Sequence, residues 1–220
     1  MIPVIAAHGI GPDARFFTRQ VEGLVPRPVI GFNMPGYGGT PGIGSLTFPA
    51  LAESLAAAVD DAGGSAHLCG HSMGGMIALE LAATRPELCR SLILCNTTPA
   101  FGGRDDSFRD AFVSARLAPL DSGLSMAEVA QSAMASMCGA ETSASDIAFL
   151  ADVMAQTPEP AYRSAIECLV TFNRRDALET LSMPVLCIGG TDDQAAPART
   201  MERMAEKIPG AQCHILPGGH

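Results

Sequence analysis

One short segment of the sequence combines a serine with closely spaced glycines. Residues Gly70–Gly74 read G-H-S-M-G, which fits the pattern G-x-S-x-G, and Gly75 follows directly. The apolar run Ala66–Cys69 precedes the pattern, and the helical segment Met73–Thr84 opens within it. A strand, a sharp turn and a helix form the context in which this pattern exposes a serine hydroxyl. The segment therefore predicts Ser72 as a nucleophile, and its context argues against an incidental serine in a glycine-rich turn.

A serine nucleophile needs a base, and the chain offers five histidines: His8, His67, His71, His214 and His220. His71, next to the nucleophile, is expected to point away from it, and a histidine within a strand is expected to be structural. His220 follows Pro217–Gly219, just past the last apolar run, where a glycine loop can bring an imidazole over Ser72. We therefore predict His220 as the general base, with His214 as the alternative.

The base in turn needs a carboxylate that orients it. The apolar run Val185–Ile188 is followed by residues 189–194, which read G-G-T-D-D-Q. A carboxylate just beyond the carboxyl end of a parallel strand faces the same crevice as the serine turn. We predict Asp193 as this residue, with Asp192 as the alternative, although outside this context the segment would indicate an ordinary turn. The chain order serine, aspartate, histidine is one of the known orders of such triads.

Acyl transfer also needs two backbone N–H groups that bind the oxyanion. One is predicted at Met73, the residue after the nucleophile. The other is predicted at Ile10, in the loop that follows the first apolar run. Gly9 allows the backbone to turn sharply there, and His8 is expected to brace the loop rather than to take part in catalysis.

Six short apolar runs, each bounded by Gly, Pro, Asn or Asp, indicate strands of a parallel sheet that is buried on both faces. They are Ile2–Ala7, Pro28–Phe32, Ala66–Cys69, Ser91–Cys95, Val185–Ile188 and Gln212–Leu216. Helical patterns lie between them at Phe48–Ala62, before a Gly-Gly C-cap signal, at Met73–Thr84, and at Pro197–Ile208, with Pro197 in the first turn. This alternation predicts an α/β fold with right-handed crossovers.

One long stretch, residues 100–175, contains no strand pattern and only 4 of the 23 glycines. Four helices are predicted in it: Asp105–Leu117, Ser125–Cys138, Ser143–Gln156 and Pro160–Asn173. Ser125 and Glu128 form a capping box at the start of the second helix. We therefore expect a core formed by residues 1–99 and 176–220, with residues 100–175 inserted as a helical lid.

Composition excludes several function classes. The 220 residues carry 23 acidic and 14 basic side chains, a net charge of −9, so a general nucleic-acid binder or a binder of anionic membranes is not expected. No apolar run approaches the roughly 20 residues of a membrane span, and residues 1–7 are too short for a signal peptide. Nothing in the sequence specifies an oligomeric state.

Cysteine usage indicates the compartment. The chain has seven cysteines, an odd number, and no C-x-x-C spacing. Several of them, such as Cys95 and Cys187, lie within apolar runs. We therefore expect reduced, buried thiols in a cytoplasmic protein, rather than a zinc cluster or a disulfide framework.

Taken together, five segments resemble the α/β-hydrolase family along nearly the whole chain. They are His8–Gly11, Met34–Gly38, Gly70–Gly75, Val185–Asp193 and Pro217–His220. Within the family the chain is most similar to small lidded serine hydrolases related to 3-oxoadipate enol-lactonase. The resemblance implies a mainly parallel, doubly wound sheet with a helical lid insertion.

The chain departs from the family pattern at several places. Asn33 stands where members usually have Asp, and Gly39 and Thr40 replace the usual Ser. Most members begin with a hairpin before the His-Gly strand and continue past the catalytic histidine into a helix, whereas this chain stops at His220. We therefore expect either that the sequence is trimmed or that a partner covers the exposed sheet face.

The resemblance and the residues together imply hydrolysis of a small ester, thioester or lactone through an acyl-enzyme, without metal or cofactor. C–C bond hydrolysis, perhydrolysis by the same triad, and a triad-retaining ligand sensor are the alternatives. Four methionines of the lid suggest an apolar cavity wall, although core packing also explains them: Met126, Met134, Met137 and Met154. Four arginines are either surface charges or candidates for a clamp on a substrate carboxylate: Arg104, Arg109, Arg116 and Arg163.

Overall fold

A single six-stranded parallel sheet forms the centre of the molecule. The structure is a computed structural model that describes residues 1–102 and 106–220. The strands are β1 Val4–Ala7, β2 Val29–Phe32, β3 Ala66–His71, β4 Cys89–Cys95, β5 Val185–Gly190 and β6 Gln212–Leu216. They lie in the order β2-β1-β3-β4-β5-β6, and every neighbouring pair is parallel. This arrangement confirms the predicted α/β fold.

The six predicted strands are present, with small shifts at their ends. The strand β1 begins at Val4 rather than Ile2, while β4 begins two residues earlier than predicted, at Cys89. The strands β3 and β5 each extend two residues further at their carboxyl ends, to His71 and Gly190. The strands continue there because the glycines at their ends let neighbouring segments of backbone approach closely. The prediction located strands by their apolar side chains, and glycine has none, so it missed these residues.

Eight α-helices connect the strands in the described residues. They are α1 Thr18–Gly23, α2 Phe48–Asp61, α3 Met73–Thr84, α4 Asp106–Asp121, α5 Met126–Met137, α6 Ala144–Ala155, α7 Glu159–Leu169 and α8 Ala198–Lys207. The helix α2 ends in a Schellman motif, in which Gly64 N–H bonds to Val59 O and Gly63 N–H to Asp60 O. Pro197 is the N-cap residue of α8 rather than part of its first turn, because its ψ of 145° is extended. None of the helices in the described ranges is long and apolar enough to cross a membrane.

Four consecutive helices, α4 to α7, are inserted between β4 and β5; we call them the helical insertion. The predicted capping box of α5 is present, with reciprocal bonds between Ser125 and Glu128. The helix α7 ends at Leu169 instead of Asn173, because Asn173 pairs with Ala100 in an antiparallel bridge at the base of the insertion. The predicted start of the first helix, Asp105, lies outside the described residues.

The helical insertion has an apolar core of its own, which is formed by Leu117, Leu120, Val129, Ala130, Met134, Met154, Tyr162 and Ile166. The larger core lies around the sheet and α3, of whose twelve residues ten are buried. Glu80 on α3 is buried and forms a bidentate ion pair with Arg174, which follows α7. The outer strand β6, by contrast, has no buried residue, and Leu216 is 53% exposed.

Candidate active site

The turn between β3 and α3 presents Ser72. Its φ of 54° and ψ of −121° are strained for a residue with a side chain, and its hydroxyl does not cap the helix. A Cβ at Gly70 would lie 2.3 Å from the Gly74 carbonyl oxygen, and one at Gly74 would lie 2.0 Å from the Ala7 carbonyl oxygen. Both glycines are therefore required for the close approach of the strands and the helix. Local packing thus forces the serine into the crevice at the carboxyl ends of the strands.

The three residues predicted as nucleophile, base and acid lie in one chain of hydrogen bonds. His220 Nε2 is 2.8 Å from Ser72 Oγ, and His220 Nδ1 is 2.8 Å from Asp193 Oδ2. Because a carboxylate only accepts, Nδ1 carries the imidazole proton and Nε2 is left to accept from the serine hydroxyl. The side chains of His220 and Asp193 are 8% and 0% exposed, so the chain of bonds is shielded from water.

Asp193 is saturated with donors. Its Oδ1 accepts from the backbone N–H groups of Ala195 and Ala196 at 2.7 and 2.8 Å, and its Oδ2 accepts from His220 and from Asn96 Nδ2 at 2.7 Å. Burial raises the pKa of Asp193, but the hydrogen bonds from His220, Asn96 and Ala196 outweigh burial and hold the pKa well below its usual range. The carboxylate therefore stays ionised opposite the imidazole.

The alternative acid, Asp192, points elsewhere. It is exposed, and its carboxylate accepts from the Thr191 hydroxyl and from the Ala140 N–H of the helical insertion. The alternative base, His214, is exposed on β6. Between Asp193 and Asp192, and between His220 and His214, the structure brings only Asp193 and His220 together with Ser72.

Asn96 is a site residue that the sequence reasoning missed. It follows β4 with a φ of 47°, and its Nδ2 donates to Asp193 Oδ2 and, at 3.2 Å, to the Gly219 carbonyl oxygen. One amide group thus connects the carboxylate to the loop that carries His220. The signal that could have indicated it is an asparagine directly after the strand next to β3, since that position meets the same crevice.

The loop after β1 is braced by a buried histidine. His8 Nδ1 donates to the Gly9 carbonyl oxygen at 2.8 Å, and Nε2 accepts from the Met34 N–H at 3.2 Å. Burial lowers the pKa of His8 to about 4, so the ring remains neutral. His8 thus connects the loop after β1 to the segment after β2, in agreement with its predicted structural role.

The two amides predicted for the oxyanion flank the serine. A Cβ at Gly9 would lie 2.9 Å from Ser72 Cβ, so the loop that carries Ile10 is packed against the nucleophile. Met73 is the first residue of α3, where the helix offers no acceptor for its N–H. Within the described residues, neither the Ile10 nor the Met73 amide donates a hydrogen bond. Both donors are thus left for a ligand.

His71 does not turn away from the site, and that expectation is wrong. Its ring stacks on Phe16 at 4.6 Å and lies 4.9 Å from the His220 ring, measured between centroids. Burial, with a smaller effect from His220, lowers the pKa of His71 to about 3. His71 is therefore a neutral ring that packs against the side of the His220 imidazole.

A cavity of about 490 Å³ opens above Ser72, between the sheet edge and the helical insertion. Met134, Met137 and Met154 line it, so three of the four methionines form the predicted apolar wall, and Met126 is not among the lining residues. Met134 and Met154 also belong to the apolar core of the insertion, so the core-packing explanation holds for them as well. The cavity has a size typical of small-molecule sites.

Among the four arginines considered, only Arg116 is found in the cavity lining of the described residues. Arg163 instead pairs with Asp121 and Glu159. Arg109 is not among the lining residues, and Arg104 lies outside the described residues. The sequence alone could not make this choice, because it depends on how α4 packs against the other helices.

The helical insertion also touches the backbone of the site. The His220 N–H donates to the Met137 carbonyl oxygen at 2.8 Å, and a Cβ at Gly139 would lie 2.5 Å from the Gly219 nitrogen. On the other side, the Thr157 hydroxyl donates to the Gly11 carbonyl oxygen. The insertion therefore holds both the loop of the histidine and the loop of the predicted oxyanion donor.

No group of three histidine, cysteine or acidic side chains in residues 1–102 and 106–220 is placed to hold a metal ion. The seven cysteines are free thiols, of which Cys89, Cys168 and Cys187 are buried, whereas the other four are only partly buried, contrary to the expectation of buried thiols.

Comparison with known proteins identifies the family of the chain. The sequence profile of the alpha/beta hydrolase fold matches residues 2–220. A pimeloyl-[acyl-carrier protein] methyl ester esterase from Aeromonas hydrophila is 28% identical, over 97% of this chain and 85% of that protein. The enol-lactonase from Burkholderia xenovorans LB400 superposes with a TM-score of 0.88 at 25% identity, over 100% of this chain and 85% of that one. A thermophilic esterase from Thermogutta terrifontis, solved with malate bound, superposes with a TM-score of 0.88 at 27% identity, over 100% of this chain and 83% of that one. The chain is thus a hydrolytic enzyme that belongs to the α/β-hydrolase family.

Proposed function

We propose that the chain is a serine hydrolase that cleaves a small carboxylic ester or lactone through an acyl-enzyme on Ser72. The observation that carries the proposal is the continuous chain of hydrogen bonds from Ser72 through His220 to Asp193. The esterases and the enol-lactonase among its relatives support the same class of reaction.

In the first half of the reaction, Ser72 Oγ attacks the substrate carbonyl carbon while His220 Nε2 takes the hydroxyl proton. Asp193 keeps the imidazole in the required tautomer and stabilises the imidazolium that forms. The N–H groups of Ile10 and Met73 bind the oxyanion, and the N-terminus of α3 adds a favourable dipole. His220 then gives the proton to the leaving alkoxide, so an alcohol departs and Ser72 is acylated.

In the second half, water replaces the alcohol. His220 takes a proton from the water as its oxygen attacks the acyl carbon, and the same two amides bind the second oxyanion. Breakdown of this intermediate returns the proton to Ser72 Oγ and releases the carboxylic acid. A lactone follows the same steps, except that its alcohol and acid remain in one product.

We further propose that residues 100–175 act as a lid on a core formed by residues 1–99 and 176–220. The cavity lies between the two parts, and residues from both line it. Its apolar wall, which includes Met134, Met137 and Met154, favours a small apolar acyl or alkyl group. A closed lid also excludes bulk water, which strengthens the bonds from the two amides to the oxyanion.

A substrate panel tests this proposal. Purified protein is assayed with p-nitrophenyl esters, enol-lactones and meta-cleavage diketones, and with hydrogen peroxide as an alternative acceptor. We expect hydrolysis of esters or lactones, and a loss of roughly 10⁴-fold or more in kcat for Ser72→Ala. The exposed Ser132→Ala serves as the matched control and should retain full activity. Turnover of diketones without esters, or tight ligand binding without any turnover, would contradict the ester-hydrolase assignment.

A further inference from the structure

The charge of the cavity differs from that of the chain. The chain carries a net charge of −9. Yet within the described residues the cavity lining contains no aspartate or glutamate, and its one formally charged side chain is Arg116. In an acidic protein, a cavity lined by a cation and no carboxylate selects for an anionic ligand.

The Arg116 side chain stacks on an aromatic ring. Its guanidinium carbon lies 5.3 Å from the ring centroid of Phe112, one turn earlier on α4, which is a cation–π distance. The described part of the chain places no carboxylate within ion-pair distance of Arg116, whereas Arg163 on α7 has two. Stacking thus orients the guanidinium, and no carboxylate of the described residues competes with a ligand for its N–H groups.

The cavity lining also contains a second hydrogen-bond donor. Tyr162 on α7 lines the same cavity, and burial raises the pKa of its hydroxyl while the positive charge of Arg116 opposes that rise. The phenol therefore remains protonated and able to donate. Two parallel N–H groups and one O–H match the two oxygens of a carboxylate, whereas a phosphate dianion usually recruits more positive charge.

Building on the hydrolase function proposed above, we propose that Arg116 and Tyr162 bind a free carboxylate of the substrate. The substrate class is then a half-ester of a dicarboxylic acid, or a lactone that bears a carboxylate.

The test compares matched pairs of substrates. The kcat/KM of the p-nitrophenyl half-esters of glutarate, adipate and pimelate is measured beside that of the neutral valerate, hexanoate and heptanoate esters. Arg116→Met should lower kcat/KM for at least one half-ester by roughly tenfold or more, through KM, and change the neutral esters by no more than about threefold. Arg116→Lys should rescue the half-ester only in part, because a lysine lacks the two parallel N–H groups. The surface variant Arg163→Met is the control and should leave the ratio of the two substrate classes unchanged.

A binding measurement separates failure of this site from failure of the hydrolase proposal. Monomethyl adipate is titrated into Ser72→Ala by calorimetry, and again into the double variant with Arg116→Met. Weaker binding to the double variant supports the carboxylate site even if the wild type hydrolyses no ester. Equal binding to both variants overturns it, as does an equal loss of kcat/KM for charged and neutral esters in Arg116→Met, which would assign Arg116 a structural role.

Discussion

At the scale of single residues, hydrogen bonds from neighbouring groups fix the position of the Asp193 carboxylate. Asp193 accepts four hydrogen bonds, and only one of them comes from His220. The others fix the carboxylate before any substrate binds, so little reorganisation is needed when the imidazole becomes charged. Asn96 donates both to the Asp193 carboxylate and to the Gly219 carbonyl oxygen. It therefore helps to position the proposed base, His220, through its carboxylate partner and through its loop.

Removal of the Asn96 side chain should therefore slow the chemistry without weakening substrate binding. Asn96→Gly suits the measurement, because glycine tolerates the positive φ of this position. We expect kcat to fall about tenfold while KM stays within about twofold, as measured on the best ester of the panel. A rise in KM at constant kcat would instead place Asn96 in substrate binding.

Two buried neutral histidines should make the fold sensitive to acid. Burial lowers the pKa of His8 to about 4 and that of His71 to about 3, whereas both bind protons near pH 6.5 when unfolded. Between those values the unfolded state binds more protons, so acidification favours unfolding. We expect the free energy of unfolding to drop by about 3–4 kcal/mol from pH 7 to pH 5, measured by urea denaturation.

His71→Gln should remove about half of this pH dependence, since glutamine does not titrate. The comparison concerns the slope with pH rather than the absolute stability, which the substitution changes as well. A free energy of unfolding that stays constant between pH 7 and pH 5 would show that neither histidine is held neutral. An equal pH dependence in His71→Gln and in the wild type would show that His71 is not held neutral.

At the scale of elements, the segments that flank the helical insertion are bonded to each other and to α3, and the insertion itself contacts the candidate active site. Asn173 pairs with Ala100 at its base, and the Arg174 guanidinium reaches the buried Glu80 of α3. Near Ser72, the carboxyl end of α5 contacts the loop of His220. The position of the insertion and the geometry of the triad are therefore linked.

The ion pair between Arg174 and Glu80 should contribute to stability because its carboxylate is buried. Arg174→Ala leaves Glu80 without its partner and should cost about 2–4 kcal/mol, less than a fully buried pair because Arg174 itself is partly exposed. Thermal unfolding should show a drop of roughly 4–12 °C. The neighbouring exposed Arg175→Ala is the control, and an equal drop in both variants would assign no special role to the pair.

The contact of α5 with the histidine loop can be tested with one methyl group. A Cβ at Gly139 would collide with the backbone of Gly219, so Gly139→Ala should displace His220 and lower kcat by roughly tenfold or more. Gly23→Ala is the matched control, since a Cβ there meets no atom within 4 Å. Full activity of Gly139→Ala would mean that the insertion and the triad are independent.

These elements also show what a sequence can predict. Ser72, the strand before it and the helix after it form one local pattern, so their arrangement follows from sequence neighbours. Asp193 and His220 are predictable because strand ends of a parallel sheet meet at one edge. Asn96 could be predicted by the same rule, because it directly follows β4. Gly139 and the choice of Arg116 depend on contacts between segments far apart in the chain, for which a single sequence carries no local signal.

At the scale of the whole molecule, the fold alone does not decide the reaction, because this fold supports many chemistries. The features that would decide it lie around the cavity. The carboxyl edge of the sheet supplies the proposed reacting groups, and the helical insertion supplies the apolar wall and Arg116. A net charge of −9 with a cation in the cavity indicates that the ligand site is electrostatically distinct from the rest of the molecule.

The most direct measurement is covalent trapping of the nucleophile. Protein treated with diethyl p-nitrophenyl phosphate is digested, and the labelled peptide is identified by mass spectrometry. The proposed mechanism predicts a single label on Ser72, none in Ser72→Ala, and labelling slowed by roughly 10³-fold or more in His220→Gln, because the hydroxyl then lacks its base. A label on another residue, or an unchanged rate in His220→Gln, would contradict the hydrolase that Ser72, His220 and Asp193 are proposed to form.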